Sequence, residues 1–309
     1  MREFANARFA EAAPELSVLI PFLRDDPSPL LDRLLGEGEN VEIILLDDGT
    51  ASEPLTAALR ELVQSASLPL KLLTLEQNIG RAKGRNLLAD VSRADYLLFL
   101  DADMLPDSAN FIGQWLDFVR SKKPAAAFGG LSLKQAPQDH RFAVHRAMAA
   151  KSDCPPAAQR RQQPEKHLFT SNLLIRRDVF RDHPFDSSFS GWGWEDVEWA
   201  MRVSNAHPIS HPDIPATHAG LDTVPELMRK YRQSAANFAR IAQLHPQFVT
   251  GYPSYKAALL FNRLKIAAVI RWISSAVAKL DAAPVGLRAF SLRFYRAALY
   301  ADALAGRQK

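Results

Sequence analysis

Four short apolar runs, each cut off by polar residues, limit what this chain can fold into. Residues 16–20 (Leu-Ser-Val-Leu-Ile) end at Pro21, and residues 41–46 end at Asp47-Asp48-Gly49. Residues 70–75 run into Gln77-Asn78, and residues 96–100 end at Asp101. Each run is about five or six residues, the length of a buried parallel strand. Between them lie segments with helical spacing, such as Leu55, Leu59, Leu62 and Val63. Strand and helix in alternation predict an α/β fold whose mostly parallel sheet is flanked by helices. Ligands of such sheets bind outside the carboxyl ends of the strands, so Asp48, Asn78 and Asp101 are expected in one crevice. Further along, a fifth strand is expected over 125–133, and a helix plus a mobile loop over the polar stretch 134–166. Strands follow over 168–176 and 209–216, with helices over 195–203, 223–244, 255–280 and 285–304.

The fourth run leads into Asp101-Ala102-Asp103. Two carboxylates two positions apart offer oxygen ligands to Mg2+ or Mn2+, which keeps water and phosphate oxygens as the rest of its shell. A cation there can neutralise the diphosphate of a nucleotide-sugar and improve it as a leaving group. A solvated turn has the same sequence, and what favours the metal is the position at the end of a strongly apolar strand. Asp48 can accept hydrogen bonds from a base or a ribose, or serve only a strand-to-helix turn with Gly49. Residues 78–86 (Asn-Ile-Gly-Arg-Ala-Lys-Gly-Arg-Asn) open a helix with three cations and two glycines, a place that suits phosphate. The glycine spacing is not that of a P-loop, and Arg85 is the cation expected to point inward.

The segment from Phe189 to Trp199 holds three of the five tryptophans. Its glycines can turn Trp192 toward a sugar face, and Glu195 and Asp196 fall in the first turn of a helix, where a carboxylate is stabilised. Glu198 is expected to crowd them. A carboxylate beside such a ring suits the general base that takes the proton of an attacking hydroxyl, and a capped helix with core tryptophans is the plain alternative.

These segments together resemble family 2 glycosyltransferases of the GT-A fold, which is Rossmann-like, with a later part similar to the galactosyltransferase C-terminal region. The likeness runs from about residue 16 to about residue 218. It rests on Asp48, Asn78-Ile79-Gly80 with Arg85-Asn86, Asp101-Ala102-Asp103, and Gly191-Trp192-Gly193 with Glu195-Asp196. The resemblance implies that Asp103 binds the metal, Mn2+ or Mg2+, with His218 completing its shell, and that Asp196 is the catalytic base. It implies that Asp48 holds a uridine and that Arg85 approaches the nucleotide or its phosphates. Asn78, Asp101, Trp192 and Glu195 complete the expected donor-binding set. The implied reaction is a single displacement with inversion from a UDP-sugar of the Gal, GalNAc, Glc or GlcNAc type. Trp194 stands where the motif usually has a second glycine, so galactose specificity is not carried over.

The 47% hydrophobic content of the 309 residues is ample for one large domain, or a domain with an appendage. From Tyr252 onward ten Lys/Arg face two Asp/Glu, a net +8 in a chain of net +4, so the remainder carries −4. An acidic body argues against nucleic-acid binding. The expected division is a catalytic domain over 1–250 and a basic, amphipathic, helical appendage over 251–309. Residues 255–305 are a candidate contact for an anionic membrane surface. Cys154 is the one cysteine, and neither a signal-peptide run nor a stretch approaching a membrane span occurs. The expected location is cytoplasmic, peripheral on the inner face of the membrane, with a glycan or lipid-linked acceptor in cell-envelope polysaccharide or glycolipid synthesis. Two other readings remain. A sugar nucleotidyltransferase would carry a Gly-rich signature after the first strand, where this chain has Pro-Phe-Leu-Arg-Asp-Asp. A catalytically inactive nucleotide-sugar or membrane-surface binding protein would have no need of Asp103, Asp196 and His218 together. His207 and His211 read as surface residues.

Overall fold

A computed structural model describes residues 1–37 and 40–306. Two compact units divide them: Met1–Ala136 with Cys154–Ser188 and Arg202–Gly220, and Pro137–Asp153 with Phe189–Met201 and the residues from Leu221 on.

The first unit is built on an eight-stranded sheet. Its strands are β1 (Arg2–Ala5), β2 (Leu16–Phe22), β3 (Val41–Asp47), β4 (Leu70–Thr74), β5 (Tyr96–Leu100), β7 (Ala126–Phe128), β9 (Asn172–Arg176) and β10 (Ile209–Ser210). Their spatial order is β1-β4-β3-β2-β5-β9-β7-β10. β4, β3, β2 and β5 run parallel, whereas β1 is antiparallel to β4 and β9 is antiparallel to both of its neighbours. A second sheet joins β6 (Met104–Pro106), β11 (Ala216–His218) and β8 (Leu131–Ser132) in the order β6-β11-β8. All seven residues of β3 are buried, as a strand covered by helices on both faces must be. Glu42 is one of them, and its carboxylate accepts from Ser17 Oγ at 2.6 Å, Arg93 N at 2.7 Å and Arg93 Nε at 2.8 Å. Those bonds offset the cost of burying the charge.

The four expected strands form within a residue or two of their sequence limits. β2 continues through Pro21, which lies beyond the last β5 partner of that strand, Leu19, where a missing N–H costs no bond to β5. Other expectations need correction. The strand expected over 125–133 breaks at Gly129-Gly130 into β7 and β8, which belong to different sheets. The strand expected over 209–216 breaks likewise into β10 and β11, with Pro212 and Pro215 between them. The stretch 134–166 holds the helices Ala143–Ser152 and Ala157–Arg160 and two 3-10 turns, more regular structure than its polar composition predicted. Arg160 explains part of this. It is buried and donates to the carbonyls of Pro155 at 3.0 Å, Gly129 at 3.0 Å and Pro212 at 2.7 Å.

His211 is not a surface residue: it is 2% exposed. Its Nδ1 lies 3.4 Å from Arg160 Nε and its Nε2 lies 3.1 Å from Pro164 O. Arg160 donates to Nδ1, so the neutral ring carries its proton on Nε2 and donates it to Pro164. Burial, with Arg160 nearby, pushes the imidazole down from 6.5 to about 4. The unfolded chain binds this proton below pH 6.5 and the folded chain only below about 4, so stability falls as pH drops through that window. The expected loss is about 3 kcal/mol by pH 4. Chemical denaturation from pH 7 to 4 should show it, and His211→Gln, which keeps one donor and one acceptor but cannot titrate, should flatten the slope. Equal slopes in the two proteins would overturn this account.

The second unit is helical. Thr223 and Glu226 form a capping box for the helix Val224–Leu244, which worth about 1 kcal/mol fixes its start. Its apolar face (Leu227, Tyr231, Phe238, Ile241) shares two cores with Val144 and Met148, and with Leu292, Tyr295, Ala298 and Tyr300 of the helix Val285–Gly306. The helix expected over 255–280 is two, Pro253–Arg263 and Ala267–Lys279, separated where Lys265 takes a left-handed φ of 57°. No helix among the described residues is long and apolar enough to cross a membrane.

Candidate active site

In the first unit the polar ends of β3, β4 and β5 gather at the carboxyl edge of the parallel strands. Asp48 follows β3 and is buried. Its Oδ1 accepts from Ile79 N at 2.8 Å, and its Oδ2 accepts from Asn78 Nδ2 at 3.0 Å and Gly80 N at 3.2 Å. Burial raises this carboxyl above its ordinary value, and the two backbone N–H groups act in the opposite direction. The chain must come this close. A Cβ on Gly49 would stand 2.6 Å from Asn78 N, at a φ of 86° that favours glycine. Asp48 and Asn78 therefore lie together, as expected, and the carboxylate shapes the loop 78–80. A carboxylate offers about four lone-pair positions, and the three bonds leave it capacity for one more donor.

That loop ends at Gly80, the N-cap of the helix Arg81–Val91. Arg81 and Lys83 are exposed, while Arg85 is 1% exposed and is the inward cation that the sequence indicated. Its Nη2 donates to Asp101 Oδ1 at 2.8 Å. The guanidinium thus fixes the first carboxylate of the Asp-Ala-Asp segment, a pairing that the sequence did not reveal.

Asp103 is placed by the second sheet. β6 begins one residue after it and pairs antiparallel with β11, His218 opposite Met104. Ala219 N donates to Asp103 O at 3.0 Å. This register brings His218 Nε2 to 3.3 Å from Asp103 Oδ2. Gly220 completes the arrangement, because a Cβ there would collide with that same carboxylate. One carboxylate oxygen and one imidazole nitrogen make a mixed donor pair of the kind a divalent metal ion accepts. Among the described residues no group of three or more His, Cys, Asp or Glu stands together as a metal cluster. An ion held here would take most of its shell from elsewhere, as one bound with phosphate oxygens does.

In the second unit, Gly191, Gly193 and Trp194 all take positive φ, of 73°, 83° and 80°. Asn237 Nδ2 holds the turn by donating to Ser190 O and Gly193 O, each at 2.9 Å. Trp194 is a non-glycine in a left-handed position, a conformation that costs about 1 kcal/mol. Aromatic packing offsets it: the ring lies 5.1 Å from Phe238, centroid to centroid, and its Nε1 donates to Tyr300 OH at 3.2 Å. Its bulk therefore serves the helical core. Trp192 packs at 6.3 Å from Tyr231, with Lys230 Nζ 5.8 Å from its ring centre. Glu195 and Asp196 open the helix Glu195–Ser204. Glu195 is buried, and Asp196 is half-buried with its Oδ1 accepting from Val197 N at 2.8 Å. Glu198 has a partner of its own, His245 Nε2 at 3.2 Å. Nothing in the sequence tied His245, Tyr300 or Asn237 to this segment, because each lies more than 40 residues from the group it meets.

The family model described as glycosyl transferase family 2 matches residues 17–183. The chain is 28% identical to validoxylamine A glucosyltransferase of Streptomyces hygroscopicus subsp. limoneus and 27% identical to that of subsp. jinggangensis (strain 5008). Each match takes in 63% of this chain, with 49% and 52% of those proteins, so the chain spans about half the length of the curated relatives it matches. Among solved structures, the mannosyltransferase PcManGT from Pyrobaculum calidifontis, in complex with GDP-Man and Mn2+, superposes with a TM-score of 0.61. That match has 14% identity and covers 98% of this chain and 90% of that one. S. aureus TarS 1–349 in complex with UDP-GlcNAc superposes with a TM-score of 0.50 and 15% identity, over 95% and 92% of the two chains. At these identities the structural likeness concerns the GT-A fold alone. The family match spans more than half of the residues and includes Asp48, Asn78, Arg85, Asp101 and Asp103, and the chain belongs to glycosyl transferase family 2.

Proposed function

We propose that the protein transfers a sugar, with inversion, from a UDP-sugar to an acceptor hydroxyl, using a divalent metal ion. The observation that carries this reading is the Asp103–His218 pair, brought to 3.3 Å by the β6–β11 register that follows the Asp-Ala-Asp turn after β5. Asp103 and His218 would hold the metal, which when bound neutralises charge on the departing nucleoside diphosphate. Asp48 and Asn78 shape the loop that receives the nucleoside, and the remaining lone pair of Asp48 accepts from it. Arg85 acts by holding Asp101 in place. Trp192 and Glu195 bind the sugar, and Asp196 removes the proton of the acceptor hydroxyl as its oxygen attacks the anomeric carbon. The bond to the diphosphate breaks as the new glycosidic bond forms on the opposite face. Residues 1–250 carry this chemistry in our reading. The acceptor class is a glycan or a lipid-linked sugar of the cell envelope, by analogy within the family.

A solved neighbour binds GDP-Man and Mn2+ and another binds UDP-GlcNAc, so the donor test includes both nucleotides. UDP-Gal, UDP-GalNAc, UDP-Glc, UDP-GlcNAc and GDP-Man should be compared for thermal stabilisation and slow hydrolysis, with Mn2+ and with EDTA. One UDP-sugar is expected to stabilise the protein only with the metal. Stabilisation by GDP-Man alone would reassign the nucleotide, and no binding under any condition would leave the inactive binding protein as the better reading.

Gly220→Ala supplies a second test away from the ligating atoms. The added methyl forces Asp103 to swing aside, while the Ala219–Asp103 backbone bond remains. Metal-dependent turnover is expected to fall roughly 100-fold, the usual penalty of a misplacement near 1 Å. Unaltered turnover and metal dependence would show that Asp103 is not used from this position.

A further inference from the structure

The described residues expose fifteen large apolar side chains, and eleven of them fall between Leu259 and Phe294. On the helix Ala267–Lys279 the exposed positions are Ala268, Val269, Trp272, Ile273, Ala276 and Lys279, one continuous side with a single charge. Trp272 is 73% exposed. A helix facing water would carry its polar residues there. Arg288 Nε donates to Ala278 O at 3.0 Å and Arg271 pairs with Asp302, which tie this helix to Val285–Gly306. That neighbour exposes Leu287, Phe290 and Phe294, and Phe290, 56% exposed, packs at a tilt against Phe294 with ring centroids 4.8 Å apart. Phe294 in turn lies 6.0 Å from Phe261 of Pro253–Arg263, whose Leu259 and Leu260, with Leu264 just past its end, are also exposed. The exposed apolar side chains thus run over three helices, and apolar surface gathered in this way marks an interaction site.

The charges around it are of one sign. The segment's two carboxylates are taken, Asp281 by Arg288 and Asp302 by Arg271. Lys256, Arg263, Lys265, Lys279 and Arg293 stay exposed with no acid of their own segment to balance them. A second copy seated on this face by a two-fold axis would bring the same five cations against these. An anionic bilayer complements both features, with Trp and Phe in the headgroup layer and lysine and arginine against its phosphates.

We propose that the exposed face of Pro253–Arg263, Ala267–Lys279 and the first half of Val285–Gly306 is a docking surface for an anionic membrane, on which the protein lies without crossing it. The proposal stands apart from the transfer chemistry, because lipid binding is read whether or not sugar is moved. Truncation after Gly251 cannot test it, since Leu292, Tyr295 and Tyr300 belong to the helical core. The full chain should instead be floated with phosphatidylcholine vesicles with and without phosphatidylglycerol, beside the double variant Trp272→Glu, Phe290→Glu and the double variant Lys279→Glu, Arg293→Glu. Both pairs are exposed and tolerate charge without disturbing the core, which an unchanged melting temperature would verify. The wild type is expected to float with anionic vesicles and at least roughly tenfold less with neutral ones, and each variant to lose at least roughly tenfold in affinity. Wild-type protein that stays at the bottom with anionic vesicles overturns the proposal, as do variants that float like the wild type. A dimer in light scattering that Trp272→Glu, Phe290→Glu dissociates, without flotation of the wild type, would give the face to a second copy.

Discussion

Replacing Asp103 with Ala is expected to remove metal-dependent stabilisation by the donor and to lower turnover by roughly a thousandfold, the several kcal/mol that a metal supplies at a leaving diphosphate. The fold should survive. The Ala219 N–H bonds to the backbone oxygen of Asp103, and the strand pairing of β6 with β11 involves Met104, Leu105 and Pro106 rather than its side chain. A small donor pair also predicts an order of binding. With Asp103 and His218 alone, the ion should bind weakly to the free protein and tightly beside a nucleoside diphosphate, so Mn2+ alone should shift the melting temperature little and Mn2+ with UDP should shift it much more. Calorimetric titration of Mn2+ with and without UDP, on wild type and Asp103→Ala, reads both effects. An Asp103→Ala protein that keeps the synergy would remove this carboxylate from the metal site. His218→Ala is the companion control, with the same direction and a smaller loss.

The placement of these residues was legible because parallel strands announce themselves twice. β5 is a continuous apolar run and β3 is one broken only by Glu42, and each leads into the polar residue that a ligand-facing edge requires, Asp101 or Asp48. Geometry common to all such sheets then brings them to one edge. Arg85 could be chosen over Arg81 and Lys83 as the inward cation, but its partner Asp101 could not be named. A salt bridge between residues 16 apart depends on the angle at which the helix crosses the strands, and no periodicity encodes that angle. The antiparallel strands were harder. β9 reads as an apolar run like the others, and nothing in its composition gives its direction. β7 and β8 read as one strand, because a chain that leaves one sheet for another across Gly129-Gly130 stays apolar throughout. The polar stretch 134–166 misled for the opposite reason. Arg160 and His211 look like surface residues, yet they are buried with their donors and acceptors matched to carbonyls and to each other. Trp194 shows a further limit. In sequence it is a bulky departure beside a catalytic motif, and in the structure its ring meets Phe238 and Tyr300, more than 40 residues away.

Asp196→Asn should separate binding from chemistry. The side chains have the same shape, and the Asn Oδ1 can accept the Val197 N–H bond that Asp196 Oδ1 accepts at 2.8 Å, so the first turn of the helix Glu195–Ser204 should keep its geometry. What Asn cannot do is take a proton. Donor affinity and metal synergy are therefore expected to stay within about twofold, while transfer falls by 100- to 10,000-fold, the range attributed to a positioned general base. Glu195→Gln distinguishes the two neighbours. Glu195 is buried and assigned to the sugar, so its loss should weaken donor binding and leave a larger share of turnover at saturation. Single-turnover transfer, measured alongside donor affinity for both variants, gives the comparison. A loss of donor affinity in Asp196→Asn as large as its loss of rate would mean that Asp196 binds the sugar and that the base is elsewhere. A fall confined to Glu195→Gln would make Glu195 the base. Either exchange of roles would keep the reaction class and change only which carboxylate accepts the proton, because both open the same helix, where a negative charge is stabilised.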